Sequence, residues 1–165
     1  MGKLRVGVIG LGIGKGHIDG YRLHPMAEVV AVADLDGEVL ETVAEDKDIP
    51  AAYGSGEEML REEDLDVVSV ATPNKFHKPL AIKAFEAGCH VLCEKPMAMD
   101  APEGREMLAA RDAAGRRLGI NFSFRFNDVA QALKAEVDAG TLGETYFART
   151  IWHRRRGLPR FGGWF

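Results

Sequence analysis

Short apolar runs alternate with amphipathic stretches from Leu4 to Phe122, and this alternation predicts a fold. Leu4-Arg5-Val6-Gly7-Val8-Ile9 reads as a strand, followed by a glycine loop and a helix to about Leu23, where His24-Pro25 stops it. Glu28 to Asp34 is a second strand, and Asp36 caps a helix carrying Val39, Leu40, Val43 and Ala44 on one stripe. Ser55-Gly56-Glu57-Glu58 has the capping-box pattern and opens a short helix with Met59 and Leu60. Asp66 to Ala71 is a further strand, and the helix after it carries Leu80, Ala81, Ala84 and Phe85. His90 to Cys93 is the next strand. Asp100-Ala101-Pro102-Glu103 caps another helix, and Leu118 to Phe122 is the last strand of the series. Strands that are apolar throughout and separated by helices require a parallel sheet covered on both faces. The predicted fold class is therefore α/β, a doubly wound parallel sheet over residues 1–122, with ligands expected at the carboxyl ends of its strands.

The pattern changes after Phe122. Asp128 to Ala139 predicts a helix with Val129, Leu133 and Val137 on one stripe and Gly140 as its stop. Thr145 to Arg154 alternates partly, as an antiparallel strand with one wet face does, and the chain ends on Gly162-Gly163-Trp164-Phe165. Residues 123–165 thus predict the start of a second domain. A single strand has no stability by itself. Its exposed Tyr146, Phe147, Ile151 and Trp152 predict a homo-oligomer that forms through this strand.

Composition narrows the class. The chain has 165 residues with 46% hydrophobic and 28% charged residues, which is long enough and apolar enough for a core without staples. A net charge of -4 argues against nucleic acid as a partner, and Arg154-Arg155-Arg156 with Arg160 reads as a solvated basic run. Cys89 and Cys93 lie too close along one predicted strand to bridge and lack CxxC spacing, so they read as reduced thiols of a cytoplasmic protein. The glycine-broken N-terminus resembles neither a signal peptide nor a membrane span, so no membrane partner is expected.

Three loops carry the candidate chemistry, all at the predicted carboxyl edge. The first is Gly10-Leu11-Gly12-Ile13-Gly14, between the first strand and first helix, one residue tighter than the usual GxGxxG. Glycines there let the backbone approach a pyrophosphate, and the helix N-terminus supplies N–H groups and a positive dipole. Asp34, ending the second strand, can accept hydrogen bonds from adenosine ribose hydroxyls and repel a 2′-phosphate, which points to NAD rather than NADP. The second loop, Ala71-Thr72-Pro73-Asn74-Lys75-Phe76-His77, offers Thr72 and Asn74 as hydrogen-bonding groups. His77 either starts the next helix or faces the cofactor. In the third, Glu94-Lys95-Pro96, a strand delivers Lys95 to the edge where a nicotinamide lies. A lysine crowded by burial or other cations can move a proton near neutral pH. The same residues also fit a surface Glu-Lys pair at a strand end.

The run ATPNKFHKPLAIKAFEAGCHVLCEKPMAMD decides between these readings, because it closely resembles the Gfo/Idh/MocA oxidoreductase family. The glycine loop, Asp34, Thr72-Pro73-Asn74 with His77, Glu94-Lys95-Pro96 and the Asn121 to Phe126 segment fall in family order. The resemblance implies a Rossmann domain holding NAD(P), followed by an α/β domain that shapes a sugar site. It implies hydride transfer between a nicotinamide cofactor and a hydroxyl or carbonyl of a sugar, sugar derivative or cyclitol. Lys95 looks like the residue that assists proton transfer, and Glu94 like its neighbour on the cofactor side. Gly10, Gly12, Ile13, Gly14, Asp34, Thr72, Asn74 and His77 look like cofactor contacts, and Asn121 and Arg125 like residues near the nicotinamide or substrate. The family pattern continues past a Gly-Gly-Trp-like segment with an Asp and a His that complete the catalytic set, and these lie beyond Phe165. The alternative expectation is therefore a truncated NAD(H)-binding fragment without turnover.

Overall fold

The computed structural model describes residues 2–151, 153 and 155. The chain divides into two compact units, Met1–Asn121 and Phe122–Phe165. The first is a six-stranded sheet with order β3-β2-β1-β4-β5-β6, every pair parallel. Its strands are β1 (Leu4–Ile9), β2 (Ala27–Ala33), β3 (Ala51–Tyr53), β4 (Val67–Val70), β5 (His90–Glu94) and β6 (Leu118–Asn121). The helices between them are α1 (Gly14–Arg22), α2 (Gly37–Asp46), α3 (Gly56–Glu62), α4 (His77–Glu86) and α5 (Ala101–Ala114). From β1 the chain winds outward through β2 and β3, then crosses back to β4, β5 and β6. The order therefore reverses between β1 and β4, which opens a crevice at their carboxyl ends.

Two apolar layers sandwich the sheet. Val6, Val8, Val29 and Val32 face α1 and α2 through Ile18, Leu40 and Val43. Ile9, Val68, Val70 and Cys93 face the other way, against Met59, Leu80, Phe85 and Met107. Strands buried on both faces explain the unbroken apolar runs in the sequence. The predicted caps form: Asp36 Oδ1 accepts from the Glu38 and Val39 amides, Ser55 Oγ from Glu58 N–H, and Asp100 Oδ1 from Glu103 N–H. Sequence periodicity marks no residues for strand β3. It has only three residues, two of them alanine, and it exists because β2 offers it an open edge at Ala31–Ala33.

The second unit contains a 3-10 turn (Ser123–Phe126) and α6 (Asp128–Asp138), whose N-terminus is capped by Asn127 Oδ1 on the Val129 and Ala130 amides. Val129, Leu133 and Val137 lie on one exposed stripe of α6, as the periodicity predicts. Over residues 145–151 the strand expected from Thr145 to Arg154 is not formed. Residues 145–151 have no strand or ladder partner, and an isolated extended segment leaves its backbone groups without the bonds that define a sheet. The edge through which self-association was expected is thus missing over those residues. Trp152, Arg154, Arg156, Arg160 and the terminal Gly162–Phe165 segment lie outside the described residues. Cys89 and Cys93 are free and buried, and burial pushes their thiols up to about 11 and about 12. No helix among the described residues is long and apolar enough to cross a membrane.

Candidate functional site

The glycine loop is shaped by one close approach. Gly10 has φ 88°, and a Cβ there would lie 2.7 Å from the Ala71 carbonyl oxygen and 2.9 Å from Thr72 N, so the loops after β1 and β4 touch backbone to backbone. At Gly12 a Cβ would meet nothing within 4 Å, and the residue is exposed. Ile13 is the N-cap of α1 and makes no side-chain cap bond, no acidic residue stands in the first turn, and Gly14 is the first helical residue. The helix therefore presents uncapped N–H groups at the crevice, where α2, α3 and α5 instead cap theirs with Asp36, Ser55 and Asp100.

Asp34 directly follows β2 and pins this loop. Its Oδ2 accepts from Leu11 N–H at 2.6 Å and its Oδ1 from Asp36 N–H at 3.0 Å. Each carboxylate oxygen keeps a further lone pair for a hydroxyl donor. Beside it opens a cavity of about 460 Å3, lined by Ile9, Gly10, Asp34, Leu35, Thr72 and Phe76 among others. Thr72 Oγ1 is buried at this cavity and has no hydrogen-bond partner, the one such side-chain oxygen or nitrogen among the described residues. A buried hydroxyl in that state needs a partner from outside the protein. Asn74 opens the 3-10 turn that follows, half-buried. His77 is fully buried at the start of α4, with Nδ1 2.7 Å from Pro96 O and Nε2 2.9 Å from Thr72 O. Both ring nitrogens are thus engaged, and the ring ties the Thr72 turn to the Pro96 turn. His77 is also the first residue of α4.

A second cluster gathers at the carboxyl ends of β5 and β6. Glu94 ends β5 and is only 6% exposed. Its Oε1 accepts from Asn121 Nδ2 at 2.6 Å and from His17 Nε2 at 3.0 Å, and its Oε2 from the Lys95 amide at 3.2 Å. Burial raises the Glu94 carboxyl, but hydrogen bonds from His17, Asn121 and the Lys95 amide outweigh it and hold it below the ordinary carboxylate range. Lys95 is exposed, and the Lys95–Pro96 peptide is cis. Asn121 pairs with Glu94 in the β5–β6 register, which is why the amide reaches the carboxylate.

The structure brings Gly10, Asp34 and Thr72 to one cavity, beside Gly12, Ile13 and Gly14, and brings Glu94, Lys95 and Asn121 to a second cluster. Arg125 belongs to the second unit, where its guanidinium lies 5.9 Å from the Phe122 ring centroid. Sequence reasoning missed His17 and Ser69, whose Oγ lies 3.0 Å from His17 Nδ1. The signal was present: Ser69 is a polar residue in the middle of a fully apolar strand, and a buried hydroxyl requires a partner.

The sequence and the fold are similar to those of known proteins. The family model described as "Oxidoreductase family, NAD-binding Rossmann fold" (GFO_IDH_MocA) matches residues 4–122. The D-glucoside 3-dehydrogenase of Escherichia coli (strain K12) is 38% identical over 161 residues, 96% of this chain and 46% of that protein. The trans-1,2-dihydrobenzene-1,2-diol dehydrogenase of Mus musculus is 39% identical over 122 residues, 74% of this chain and 37% of that protein. Among solved structures, the WlbA dehydrogenase from Bordetella pertussis, in complex with NADH and UDP-GlcNAcA, superposes with a TM-score of 0.81 at 34% identity, covering 86% of this chain and 43% of that one. The chain therefore spans less than half the length of these relatives. With the fold, the glycine loop and the family match in agreement, the chain belongs to the Gfo/Idh/MocA oxidoreductases, whose NAD-binding domain is a Rossmann fold.

Proposed function

We propose that residues 1–122 bind NAD(H) across the β1/β4 crevice, and that the protein transfers a hydride between this cofactor and a hydroxyl or carbonyl of a sugar, sugar derivative or cyclitol. The observation that carries this reading is the set of polar groups in the loops after β1, β2 and β4: an open glycine, an uncapped helix N-terminus, an acid with lone pairs to spare and a buried threonine hydroxyl without a partner. Those residues fit a dinucleotide. The first-turn N–H groups of α1, with Gly10, Gly12 and Gly14, take the pyrophosphate. Asp34 accepts from the adenosine ribose hydroxyls and disfavours a 2′-phosphate, so NAD is preferred over NADP. Thr72 donates from the cavity wall, and Asn74 borders the same turn.

Bound there, the nicotinamide supplies the hydride acceptor or donor. Lys95, at the end of β5, is assigned to hold or release a proton at Nζ for the reacting hydroxyl. Glu94 and Asn121 are assigned to the same end of the site by their bonds around the Lys95 amide, and Arg125 is assigned a role at the nicotinamide or substrate by family resemblance alone. The sugar or cyclitol class is supported by the similarity to a D-glucoside 3-dehydrogenase and to an inositol 2-dehydrogenase of Rubrobacter xylanophilus at 34% identity. Residues 123–165 are assigned to the start of the substrate domain. Two unbridged buried cysteines favour a cytoplasmic setting. The test is Lys95→Ala in the protein. Turnover is lost while NAD binding stays within a few-fold of wild type, and loss of binding instead makes Lys95 a cofactor anchor rather than a proton carrier.

A further inference from the structure

A buried polar chain runs from α1 to Glu94 at the end of β5, and its members Tyr21, Ser69 and His17 have been given no role so far. Tyr21 Oη lies 3.0 Å from Ser69 Oγ, Ser69 Oγ 3.0 Å from His17 Nδ1, and His17 Nε2 3.0 Å from Glu94 Oε1. Ser69 is fully buried, and His17 and Glu94 are less than a tenth exposed. The donors can be assigned by elimination. An ionised carboxylate only accepts, so Nε2 of His17 carries the hydrogen that meets Glu94. In the neutral ring Nδ1 then accepts from Ser69, and Ser69 accepts from Tyr21, whose hydroxyl burial holds protonated. Every donor in that pattern points toward Glu94. The carboxylate in turn accepts the Lys95 amide through Oε2, so one group joins His17 to the turn.

The location gives this chain its meaning. His17 stands on α1 just past the glycine loop, and its side chain reaches across β4 to the last residue of β5. We propose that His17 is a positioning residue: through Glu94 it fixes the backbone of Lys95, and so couples the helix at the glycine loop to the turn that carries the proton-handling lysine. The proposal rests on the reading that NAD(H) binds this crevice with its nicotinamide end toward Lys95. Asp34 follows β2, three strand spacings from β5, or about 14 Å. The coupling therefore acts on the nicotinamide end and not on the adenosine end.

The experiment uses the 165-residue chain and its His17→Ala and His17→Gln variants, with NADH and ADP-ribose as probes. On wild type without ligand, imidazole 15N NMR shows His17 protonated at Nε2 and bare at Nδ1. In His17→Ala, hydrogen exchange of the Lys95 amide rises about tenfold and NADH binds about tenfold more weakly, the cost of one bond to a charged group. ADP-ribose affinity falls clearly less than that of NADH, because ADP-ribose shares the pyrophosphate but lacks the nicotinamide that lies toward Lys95. Glutamine, whose amide also donates to Glu94, recovers most of both losses. A neutral ring protonated at Nδ1, an unchanged Lys95 amide, or equal weakening of NADH and ADP-ribose overturns the proposal. If His17→Ala does not fold, the wild-type tautomer and the glutamine variant still decide. If wild type binds neither probe, the cofactor reading fails, while the tautomer and the amide exchange continue to judge the role of His17.

Discussion

Replacing Gly12 with alanine separates what the glycine loop does for the fold from what it does for a ligand. The added Cβ meets no atom within 4 Å, and the backbone there is not left-handed, so the folded chain accepts it. The unfolded chain loses freedom, so stability holds or rises by about 0.4–1 kcal/mol. Gly10 is the contrast. Its φ of 88° costs an L-residue roughly 1–2 kcal/mol, and a Cβ 2.7 Å from the Ala71 carbonyl oxygen has only backbone to push against. Overpacking adds about 1–3 kcal/mol, so Gly10→Ala loses about 2–5 kcal/mol of stability. The Gly12 methyl stands where a pyrophosphate approaches the backbone, so the same overpacking scale predicts a roughly 5- to 150-fold loss of NADH affinity. Urea unfolding followed by circular dichroism and calorimetric titration with NADH read both quantities on both variants. The reasoning fails if Gly12→Ala binds NADH as wild type does, or if it unfolds as readily as Gly10→Ala.

Other expectations follow from the packing and the buried charge. Glu94→Gln puts an amide donor among the donors His17, Asn121 and the Lys95 amide and destabilises the fold by about 1–3 kcal/mol at neutral pH. Because the folded-state carboxyl is depressed, its contribution is present above the unfolded value of about 4.3 and is lost as pH falls through the lower folded value. The urea midpoints of wild type and Glu94→Gln therefore converge below about pH 4, and a constant gap contradicts the assignment. Cys89 and Cys93, pushed up to about 11 and about 12, are almost wholly thiol at pH 8. A thiol-exchange reagent should label them orders of magnitude more slowly in the folded chain than in urea, and fast labelling of the native protein would show that the β5 layer opens. Phe85→Ala, at a side chain 1% exposed, costs about 3–5 kcal/mol by the same urea assay, and a loss under about 1 kcal/mol would mean that the layer under α4 refills the space.

The parts legible in the sequence are those where local pattern and global fold ask for the same residues. Val67-Val68-Ser69-Val70 and the run before Glu94 are apolar because both faces of the sheet are covered, and Asp36 and Asp100 cap because the chain must enter a helix there. Strand β3 was not legible, since Ala51-Ala52-Tyr53 is three residues long with only Tyr53 suited to a strand, and it pairs because β2 is open beside it. Thr145 to Arg154 misled in the opposite sense, since its aromatic and β-branched content suits a strand but residues 145–151 have no neighbour to pair with. At the site, the glycine loop and Asp34 carry spacing that a reader can see. Glu94 is separated by 77 residues from His17 and by 27 from Asn121, so their meeting is a property of the sheet order. The sequence hint was Ser69 alone.

Calorimetric titration of the chain with NADH and with NADPH tests the central claim most directly. NADH binds, and NADPH binds at least about tenfold more weakly because its 2′-phosphate meets Asp34. Equal affinity for the two would remove Asp34 from the ribose site, and absence of binding to either would contradict the assignment of the β1/β4 crevice as a dinucleotide site.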